Sequence, residues 1–253
     1  MSEIDVPESH PRYQSLLTRH RIEEGVEKGI TSKQGLIAEG RGEAFDYLLG
    51  ERTIESADEA ARAAAALLLL ADRPVLSVNG NVAALVPGEI VELAAAVDAD
   101  VEVNLFNRTD ERMEAIAAHL HEHDPEAAGV EIKGLTADAR IPGLEHERSK
   151  VDADGIGAAD VVLVPLEDGD RAEALAAMGK SEIVIDLNPL SRSAQAAAVP
   201  IVDNILRAVP NVTRHAEALC DASREELESI VGDFDPDAAL SAAEGAIRSG
   251  DLE

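Results

Sequence analysis

The chain has 253 residues, of which 50 are Asp or Glu and 22 are Lys or Arg, giving a formal net charge of −28. Such a charge repels nucleic acid and anionic membranes, because both are bound through clustered Lys and Arg. Acidic residues occur in every segment and 45% of all residues are hydrophobic, so the composition predicts a folded protein of a halophilic cytoplasm and disfavours a single acidic interaction tail.

The N-terminal segment, residues 1–55, is predicted to be helical. Its first residues lack the cationic start and apolar stretch of a signal peptide, so a cytoplasmic location is expected. Two apolar stripes at helical spacing predict two helices between residues 11 and 52. Ser56 and Glu59 form a capping-box pattern before an Ala-rich helix. The apolar stretch of that helix, residues 63–71, is much shorter than a membrane span.

Between residues 73 and 210, short β-branched runs alternate with helical patterns. The predicted strands are 74–78, 101–106, 130–135, 161–165, 183–186 and 200–202. The clearest helical patterns between them are 89–97, 110–120 and 171–178. Strands that alternate with helices predict βαβ units and a mostly parallel sheet with flanking helices, that is, an α/β fold.

The rest of the chain is predicted to complete this single domain. A longer loop is expected over residues 136–158, and acidic helices over residues 211–253. Cys220 is the only cysteine, which excludes an intrachain disulfide. We predict that its side chain is buried as a small apolar group.

The stretch 183–193, with the sequence IVIDLNPLSRS, contains the most informative group of polar side chains. Asp186, Asn188 and Arg192 follow a β-branched run, and hydroxyl groups flank the arginine. In open α/β sheets, ligands bind outside the carboxyl ends of the strands. An arginine placed there in so acidic a chain predicts an anionic ligand, and phosphate is the natural candidate.

The first predicted strand ends in the sequence SVNGNVAAL, at residues 77–85. Gly80 permits a tight turn, and Asn79 and Asn81 can donate and accept hydrogen bonds beside the free N–H groups of a following helix. We predict a ligand role, although Asn-Gly is also common in a plain strand-to-helix turn. The chain contains neither the GxGxxG fingerprint nor a P-loop.

Residues 9–42 reverse the sign of the charge, with six basic against four acidic side chains. Surface adaptation to salt does not explain such a reversal. Arg41 lies between two glycines, which lets the backbone approach a ligand closely. We predict phosphate contact for Arg19 and Arg41, whereas Arg12 and Arg21 are expected to form ordinary ion pairs with the acidic surface.

Two groups of side chains resemble metal ligands. Glu167, Asp168 and Asp170 follow a predicted strand; they can hold Mg²⁺ through its waters, receive an amine, or cap the next helix. His119 and His123 share one face of a predicted helix, and we interpret them as a solvated helix end. No metal site built by protein ligands is predicted.

The loop 143–150 has the sequence GLEHERSK. His146, Arg148 and Lys150 are together suited to bind a phosphoryl group and to assist proton transfer. A solvated surface loop is the alternative, and composition alone does not decide between the two.

Several strings in this chain jointly resemble archaeal phosphopantothenate synthetase, the family also called 4-phosphopantoate–β-alanine ligase. They are SHPRY at 9–13, GRGEAFDYLLGERT at 40–53, SVNGNVAALVP at 77–87, NLF and RT within 104–109, GLEHER at 143–148, VPLEDGDR at 164–171, and IDLNPLSRSA and IVDNI within 185–205. The joint occurrence is specific, and the resemblance covers roughly residues 8–210. One departure is Gly157, where family members carry an aromatic residue and where we expect looser packing.

The resemblance implies a Rossmann-like fold, a homodimer, and ATP-dependent joining of 4-phosphopantoate to β-alanine in coenzyme A biosynthesis. The 4-phosphopantoate site is expected near Asn79, Gly80 and Asn81, and at His146 and Arg148. The positions that contact ATP in the family fall here on Arg19, Arg41, Asp186, Leu187, Asn188, Arg192, Ser193, Asn204 and Ile205.

The implied reaction has two steps. The 4-phosphopantoate carboxylate attacks the α-phosphorus of ATP, and the amine of β-alanine then displaces AMP from the acyl adenylate. Arg19, Arg41 and Arg192 would neutralise the triphosphate together with Mg²⁺. His146 or a carboxylate of the loop 167–170 would take the proton of the amine.

Two other functions fit the same pattern of elements. A nicotinamide-dependent oxidoreductase would use a similar fold, but the missing GxGxxG counts against it. A regulator that binds a nucleotide without catalysis predicts ATP binding without release of pyrophosphate.

Overall fold

The computed structural model describes residues 7, 9–10, 12–124, 129–165 and 169–250. The helices of this part are α1 (Tyr13–Glu27), α2 (Lys33–Leu48), α3 (Glu55–Leu70), α4 (Gly80–Leu85), α5 (Pro87–Ala96), α6 (Asp110–Glu122), α7 (Gly169–Ala177), α8 (Arg192–Ala196), α9 (Ile205–Leu219), α10 (Arg224–Asp233) and α11 (Pro236–Ser249), with a 3-10 turn at Glu147–Ser149. The strands are β1 (Pro74–Val78), β2 (Asp100–Val103), β3 (Ile132–Lys133), β4 (Ala139–Arg140), β5 (Lys150–Val151), β6 (Val161–Pro165), β7 (Ser181–Ile185) and β8 (Val199–Ile201).

Six strands form one parallel sheet in the order β3-β2-β1-β6-β7-β8. Taken in chain order, these six strands run 3-2-1-4-5-6, which is the order of the Rossmann fold. The order reverses between β1 and β6, where ligands bind in such sheets. The predicted α/β class and parallel sheet are therefore confirmed.

The central strands are buried on both faces, which explains their largely apolar sequences, PVLSV and VVLVP. On one face, the side chains of Leu76, Val78 and Leu163 join the main core with α3, α5, α6 and α9. On the other face, Val75 and Val162 join a smaller core with α7 and the β4–β5 hairpin. The Ala-rich sequence of α3 lets it pack closely on α9.

The two predicted N-terminal helices are confirmed as α1 and α2, and they lie over the sheet near the carboxyl ends of its strands. The glycine at position 25 lets α1 pack on α4, since a Cβ there would stand 2.8 Å from the Cβ of Ala84. The end of α2 contributes Leu49 to an apolar cluster with Leu187 and Val202. These contacts fix both helices beside the loops that follow β1, β7 and β8.

Two local predictions are wrong. The capping box is absent: α3 begins at Glu55, its N-cap is Ile54, and no side chain caps it. The neighbouring Thr53 donates instead to Asp203 at 2.6 Å, so a tertiary contact fixes the start of the helix. Cys220 is exposed, because it lies one position beyond Leu219, where the buried face of α9 ends.

The segment predicted as a long loop contains the β4–β5 hairpin. Within it, Gly157 closes a tight turn, since a Cβ there would meet backbone atoms of Asp152 and Ala153 at 2.8 to 2.9 Å. The looser packing expected beside the strand at residues 161–165 stays a prediction. No helix in the described part of the chain is long and apolar enough to cross a membrane.

Candidate active site

The carboxyl edge of the sheet brings together polar residues from distant parts of the chain. Asn79 follows β1, Asn104 follows β2, Asp186 follows β7, and Asn204 follows β8. Because all six strands are parallel, these residues share one edge of the molecule. The predicted site loops after β1, β7 and β8 therefore lie along this edge.

The loop after β7 is held rigid by its own polar side chains. The backbone N–H of Asn188 donates to Asp186 Oδ1 at 2.9 Å, and that of Leu190 donates to Asn188 Oδ1 at 3.0 Å. Ser191 caps α8 by accepting from the N–H of Ala194 at 3.1 Å. Burial raises the pKa of Asp186, against the opposing effects of Ser191, the N–H of Asn188 and the charge of Arg41.

Arg41 and Arg192 both lie near this loop, Arg41 close enough to influence Asp186 and Arg192 at the start of α8. Arg41 lies on α2, and the helix can come close because a Cβ at Gly42 would stand only 3.4 Å from Leu187. Arg41 is exposed and makes no hydrogen bond or ion pair with any residue that the structure describes. The side chain of Arg192 is 67% exposed and lies 3.6 Å from Glu173. Two guanidinium groups are thus available to an anion here.

The other predicted ATP positions near this loop are mostly buried. Leu187, Ser193 and Ile205 are 6%, 2% and 4% exposed, so they would meet a ligand mainly through their backbone. Asn204 caps α9 by accepting from the N–H of Leu206 at 3.1 Å. Its Nδ2 donates to Asp46 at 2.8 Å, which ties the cap to α2.

Arg19, unlike Arg41, is engaged in an ion pair. It donates to both carboxylate oxygens of Glu43, at 2.6 Å and 2.9 Å from its Nη2, and this pairing lowers the pKa of Glu43 against the effect of burial. Arg12 binds the same carboxylate at 2.6 Å, so the ion pair predicted for it is confirmed. The ion pair predicted for Arg21 is wrong, because it donates to the backbone carbonyl of Leu85 at 2.9 Å.

A cavity of about 290 Å³ lies between α1, α2 and the start of α9. Arg207 in its wall is paired with Asp46 and, at 2.6 Å, with Asp203. Glu39, also in the wall, is half-buried, and burial together with the charges of Glu43 and Asp46 raises its pKa to about 7. Arg19 and Asn204 line the same cavity, so it borders two predicted ATP positions.

The turn after β1 is filled by the chain itself. Asn79 accepts from the N–H groups of Asn81 and Val82 at 3.0 Å and 3.1 Å. Asn81 is buried and hydrogen-bonded to Thr31 and to the carbonyl of Gly35. A Cβ at position 80 would stand 2.6 Å from the carbonyl oxygen of Ile30. The connection between α1 and α2 therefore covers this turn.

A second polar group surrounds the end of β2. The Nδ2 of Asn104 donates to the carbonyls of Arg148 and Lys150, at 3.3 Å and 3.0 Å, and so holds the predicted loop against the sheet. His146 Nε2 lies 3.1 Å from Asp170 Oδ2, and the His146 ring lies 5.5 Å from that of Phe106.

Glu102, on β2, holds the residues that follow the β4–β5 hairpin. It is fully buried and accepts from the backbone N–H groups of Asp152 and Ile156, at 3.2 Å and 2.6 Å. Burial raises the pKa of Glu102 to about 7, against the lowering effect of these donors. The hairpin and its basic residues are thus positioned by β2.

Three buried polar atoms of this second group lack a hydrogen-bond partner among the described residues: Asn104 Oδ1, Arg108 Nη1 and His146 Nδ1. Native proteins rarely leave such atoms unsatisfied, so they indicate a place for a ligand or water. Arg108 and Arg140 were missed by the sequence reasoning. The pKa of Glu147 is lowered most by Lys150 and further by Arg140 and Arg108. These three basic side chains therefore lie around Glu147. The string RT at residues 108–109 contains Arg108 and could have identified it as a site residue.

Neither the acidic loop at residues 167–170 nor the pair His119 and His123 forms a group of metal ligands in the part of the chain that the structure describes. Glu167 and Asp168 lie outside the described residues, whereas Asp170 pairs with His146. The rings of His119 and His123 stack edge to face at 4.4 Å. Across the described ranges, no three His, Cys, Asp or Glu side chains are grouped so that they could hold a metal ion.

A family profile described as "Phosphopantothenate/pantothenate synthetase" matches residues 56–250. This range includes α10 and α11 and most of the predicted acidic C-terminal segment. The expectation that the resemblance ends near residue 210 is therefore wrong.

Three relatives named as ligases are similar to most of this chain. A 4-phosphopantoate–beta-alanine ligase of Thermococcus kodakarensis is 61% identical over 94% of this chain and 90% of its own. A 4-phosphopantoate–beta-alanine ligase of Methanosarcina mazei is 52% identical over 96% of this chain and 94% of its own. One of Methanospirillum hungatei is 55% identical over 85% and 86%.

Proposed function

This chain belongs to the phosphopantothenate/pantothenate synthetase family, and from that premise we propose that it joins 4-phosphopantoate to β-alanine with ATP, forming 4′-phosphopantothenate, AMP and diphosphate. The relatives carry the name of this ligase at 52–61% identity. The observation in the fold that supports it best is the pair Arg41 and Arg192, which flank one polar strand-end loop in a chain of net charge −28.

The chemistry requires positioning and charge neutralisation more than covalent work by the protein. The carboxylate of 4-phosphopantoate attacks the α-phosphorus of ATP, and pyrophosphate leaves. The amine of β-alanine then attacks the acyl carbon of the adenylate, and AMP leaves. Both steps move negative charge onto phosphate oxygens, which arginine side chains stabilise.

We place ATP at the carboxyl ends of β7 and β8. Arg41 and Arg192 would bind its phosphates, and Asp186 and Asn188 would present the rigid loop to its ribose or base. Arg19 would join them through its Nη1, while its Nε and Nη2 keep their contacts with Glu43. The buried positions Leu187, Ser193, Asn204 and Ile205 would shape this site from behind.

We place 4-phosphopantoate at the carboxyl ends of β1 and β2, beside the switch point between β1 and β6. Its phosphate would lie beside Arg148 and against Arg108 and His146, whose Nη1 and Nδ1 atoms are buried without a hydrogen-bond partner among the described residues. Asn79 would face its other end. Gly80 and Asn81 would act beneath it, by fixing the turn on the α1–α2 connection.

The chain's residues suit a Mg²⁺ ion that arrives with the nucleotide. Mg²⁺ keeps most of its waters and is commonly held by substrate phosphates with one or two carboxylates. Asp186 supplies one carboxylate beside Arg41, and the described residues form no denser group of ligands. When bound, the ion would neutralise phosphate charge alongside the arginines.

We also propose a homodimer in the cytoplasm. The helix α2 exposes apolar side chains at helical spacing that nothing in the described chain covers, notably Ile37 at 69%, Tyr47 at 56% and Leu48 at 44%. Patches of this kind mark interfaces in soluble proteins. Light scattering across a range of concentrations checks this, and a monomer throughout would contradict it.

This fold leaves no room for a nicotinamide dinucleotide at the turn after β1, which counts against the oxidoreductase hypothesis. In dinucleotide-binding proteins, the turn after the first strand cradles the pyrophosphate. Here residues Ile30 and Thr31 occupy the space above Gly80.

The assay for the ligase supplies 4-phosphopantoate, ATP and Mg²⁺ at high salt and measures AMP and pyrophosphate with and without β-alanine. We expect sustained formation of both only when all substrates are present. A folded protein that binds ATP and forms no product would favour the regulator instead.

A further inference from the structure

The cavity between α1, α2 and α9 contains a carboxylate without a partner. Glu39 makes no hydrogen bond or ion pair with any residue in the described part of the chain, although it is half-buried. Its neighbours Glu43 and Asp46 are both bound by arginines. A half-buried carboxylate in that situation is suited to a cationic ligand.

A cationic group lies in the same wall. Arg12 uses its Nη2 for Glu43, at 2.6 Å, and for Ser15, at 3.1 Å. Its Nη1 and Nε make no hydrogen bond within the described ranges. Arg12 and Arg19 together share the single carboxylate of Glu43, which leaves one positive charge in excess.

The balance of charge in the cavity selects against a triphosphate. The charged side chains that face Glu39 across it are Arg12, Arg19, Glu43, Asp46, Glu51 and Arg207. With Glu39 ionised, the wall carries four acidic and three basic groups. A small zwitterion complements this wall, because its ammonium group meets the free carboxylate and its carboxylate meets the surplus guanidinium.

Building on the proposed ligase function, we propose that this cavity is the β-alanine site, with Glu39 receiving the ammonium group and Arg12 the carboxylate. The volume of about 290 Å³ holds so small an amino acid with room for water. Arg19 and Asn204 line the same cavity and are predicted ATP positions. An amine held by Glu39 is therefore delivered beside the nucleotide.

Glu39 also supplies the proton acceptor that the second step needs. It takes one proton from the ammonium group, and the freed lone pair attacks the acyl carbon of the adenylate. The C–N bond forms, the bond between the acyl carbon and the phosphate oxygen breaks, and AMP leaves with that electron pair. The second proton passes from the new nitrogen to the departing phosphate. A carboxyl whose pKa is about 7 is well matched to this role at neutral pH.

The test separates the two half-reactions. Exchange of labelled pyrophosphate into ATP, dependent on 4-phosphopantoate and run without β-alanine, reports adenylation alone. The rate of amide formation at varied β-alanine concentration gives the KM for β-alanine and so measures binding in the cavity. For Glu39→Gln we expect unchanged exchange, a KM for β-alanine raised about 10- to 100-fold, the loss expected for a charge-assisted hydrogen bond, and a lower kcat for amide formation, because the proton acceptor is lost. The limb of the kcat/KM profile near pH 7 should also disappear.

Arg12→Gln tests the other end of the substrate independently, and we expect the same rise in KM with intact exchange. Glu23→Gln is the matched control, because Glu23 is exposed on α1 outside the cavity. A wild-type KM and pH profile for β-alanine in Glu39→Gln would overturn the proposal, as would loss of exchange in that variant. Absence of exchange in the wild-type protein would instead refute the ligase function itself.

Discussion

At the scale of single residues, the arginines of this acidic chain divide into two groups. Arg19, Arg12 and Arg207 are engaged with carboxylates around the cavity. Arg41 makes no ion pair with the residues that the structure describes, and Arg192 has only a contact of 3.6 Å with the exposed Glu173; both lie beside the loop after β7. The second group is where a nucleotide finds the most weakly paired positive charge.

Replacing Arg192 by Ala should weaken ATP binding about 10- to 100-fold, because one charge-assisted contact to phosphate is lost. Calorimetric titration of ATP measures the change. The control is Arg248→Ala, since Arg248 is exposed on α11 and pairs only with Glu244 among the residues that the structure describes. An unchanged affinity for ATP in the Arg192 variant would remove that residue from the site.

Glu39 makes stability depend on pH in a defined direction. Its pKa rises from 4.5 to about 7 on folding, so the folded state binds the proton more tightly than the unfolded chain. Ionised Glu39 therefore lowers the free energy of unfolding. This loss is absent below the unfolded pKa of 4.5, grows between the two pKa values, and is complete above the folded pKa of about 7. Glu39→Gln should therefore raise the melting temperature more at pH 8 than at pH 5. An equal effect at both pH values would contradict the assigned shift.

At the scale of elements, the decisive feature is the connection between α1 and α2, which covers the turn after β1. Asn81 ties it down through Thr31 and Gly35, and Gly80 permits the close approach. The same contacts align α2, and hence Arg41, with the loop after β7. A turn that would cradle a ligand in other parallel sheets here serves as a structural support.

Gly80→Ala should destabilise the fold by about 1–3 kcal/mol, because the new methyl group would overlap the carbonyl of Ile30. Gly88→Ala is the matched control, since a Cβ there meets nothing within 4 Å. That change should be neutral or stabilising by up to about 1 kcal/mol. Chemical denaturation measures both, and equal stabilities would contradict the close packing.

The sequence predicted the elements whose signal is local and missed those set by distant contacts. The strands at 74–78 and 161–165 match their predicted bounds, because long β-branched runs are buried on both faces. The two-residue strands of the β4–β5 hairpin carry no such pattern. The role of Gly80 depends on Ile30, fifty positions earlier, which no local motif reveals. Arg108 and Arg140 likewise joined the site only through folding.

At the scale of the whole molecule, the charge of −28 sets the conditions under which the fold is stable. Repulsion between carboxylates opposes the compact state, and salt screens it. We expect the melting temperature to rise steadily with KCl from low to multimolar concentration. A melting temperature independent of salt would contradict the predicted halophilic adaptation.

The whole account depends on an acyl adenylate formed at the carboxyl edge of the sheet. If the carboxylate of 4-phosphopantoate is enriched in the heavy oxygen isotope, the bond that breaks in the second step leaves one labelled oxygen on the phosphate of AMP. Mass spectrometry of the products after complete turnover with β-alanine detects that label. We predict labelled AMP and unlabelled pyrophosphate. Label in inorganic phosphate, with ADP as the nucleotide product, would contradict the account.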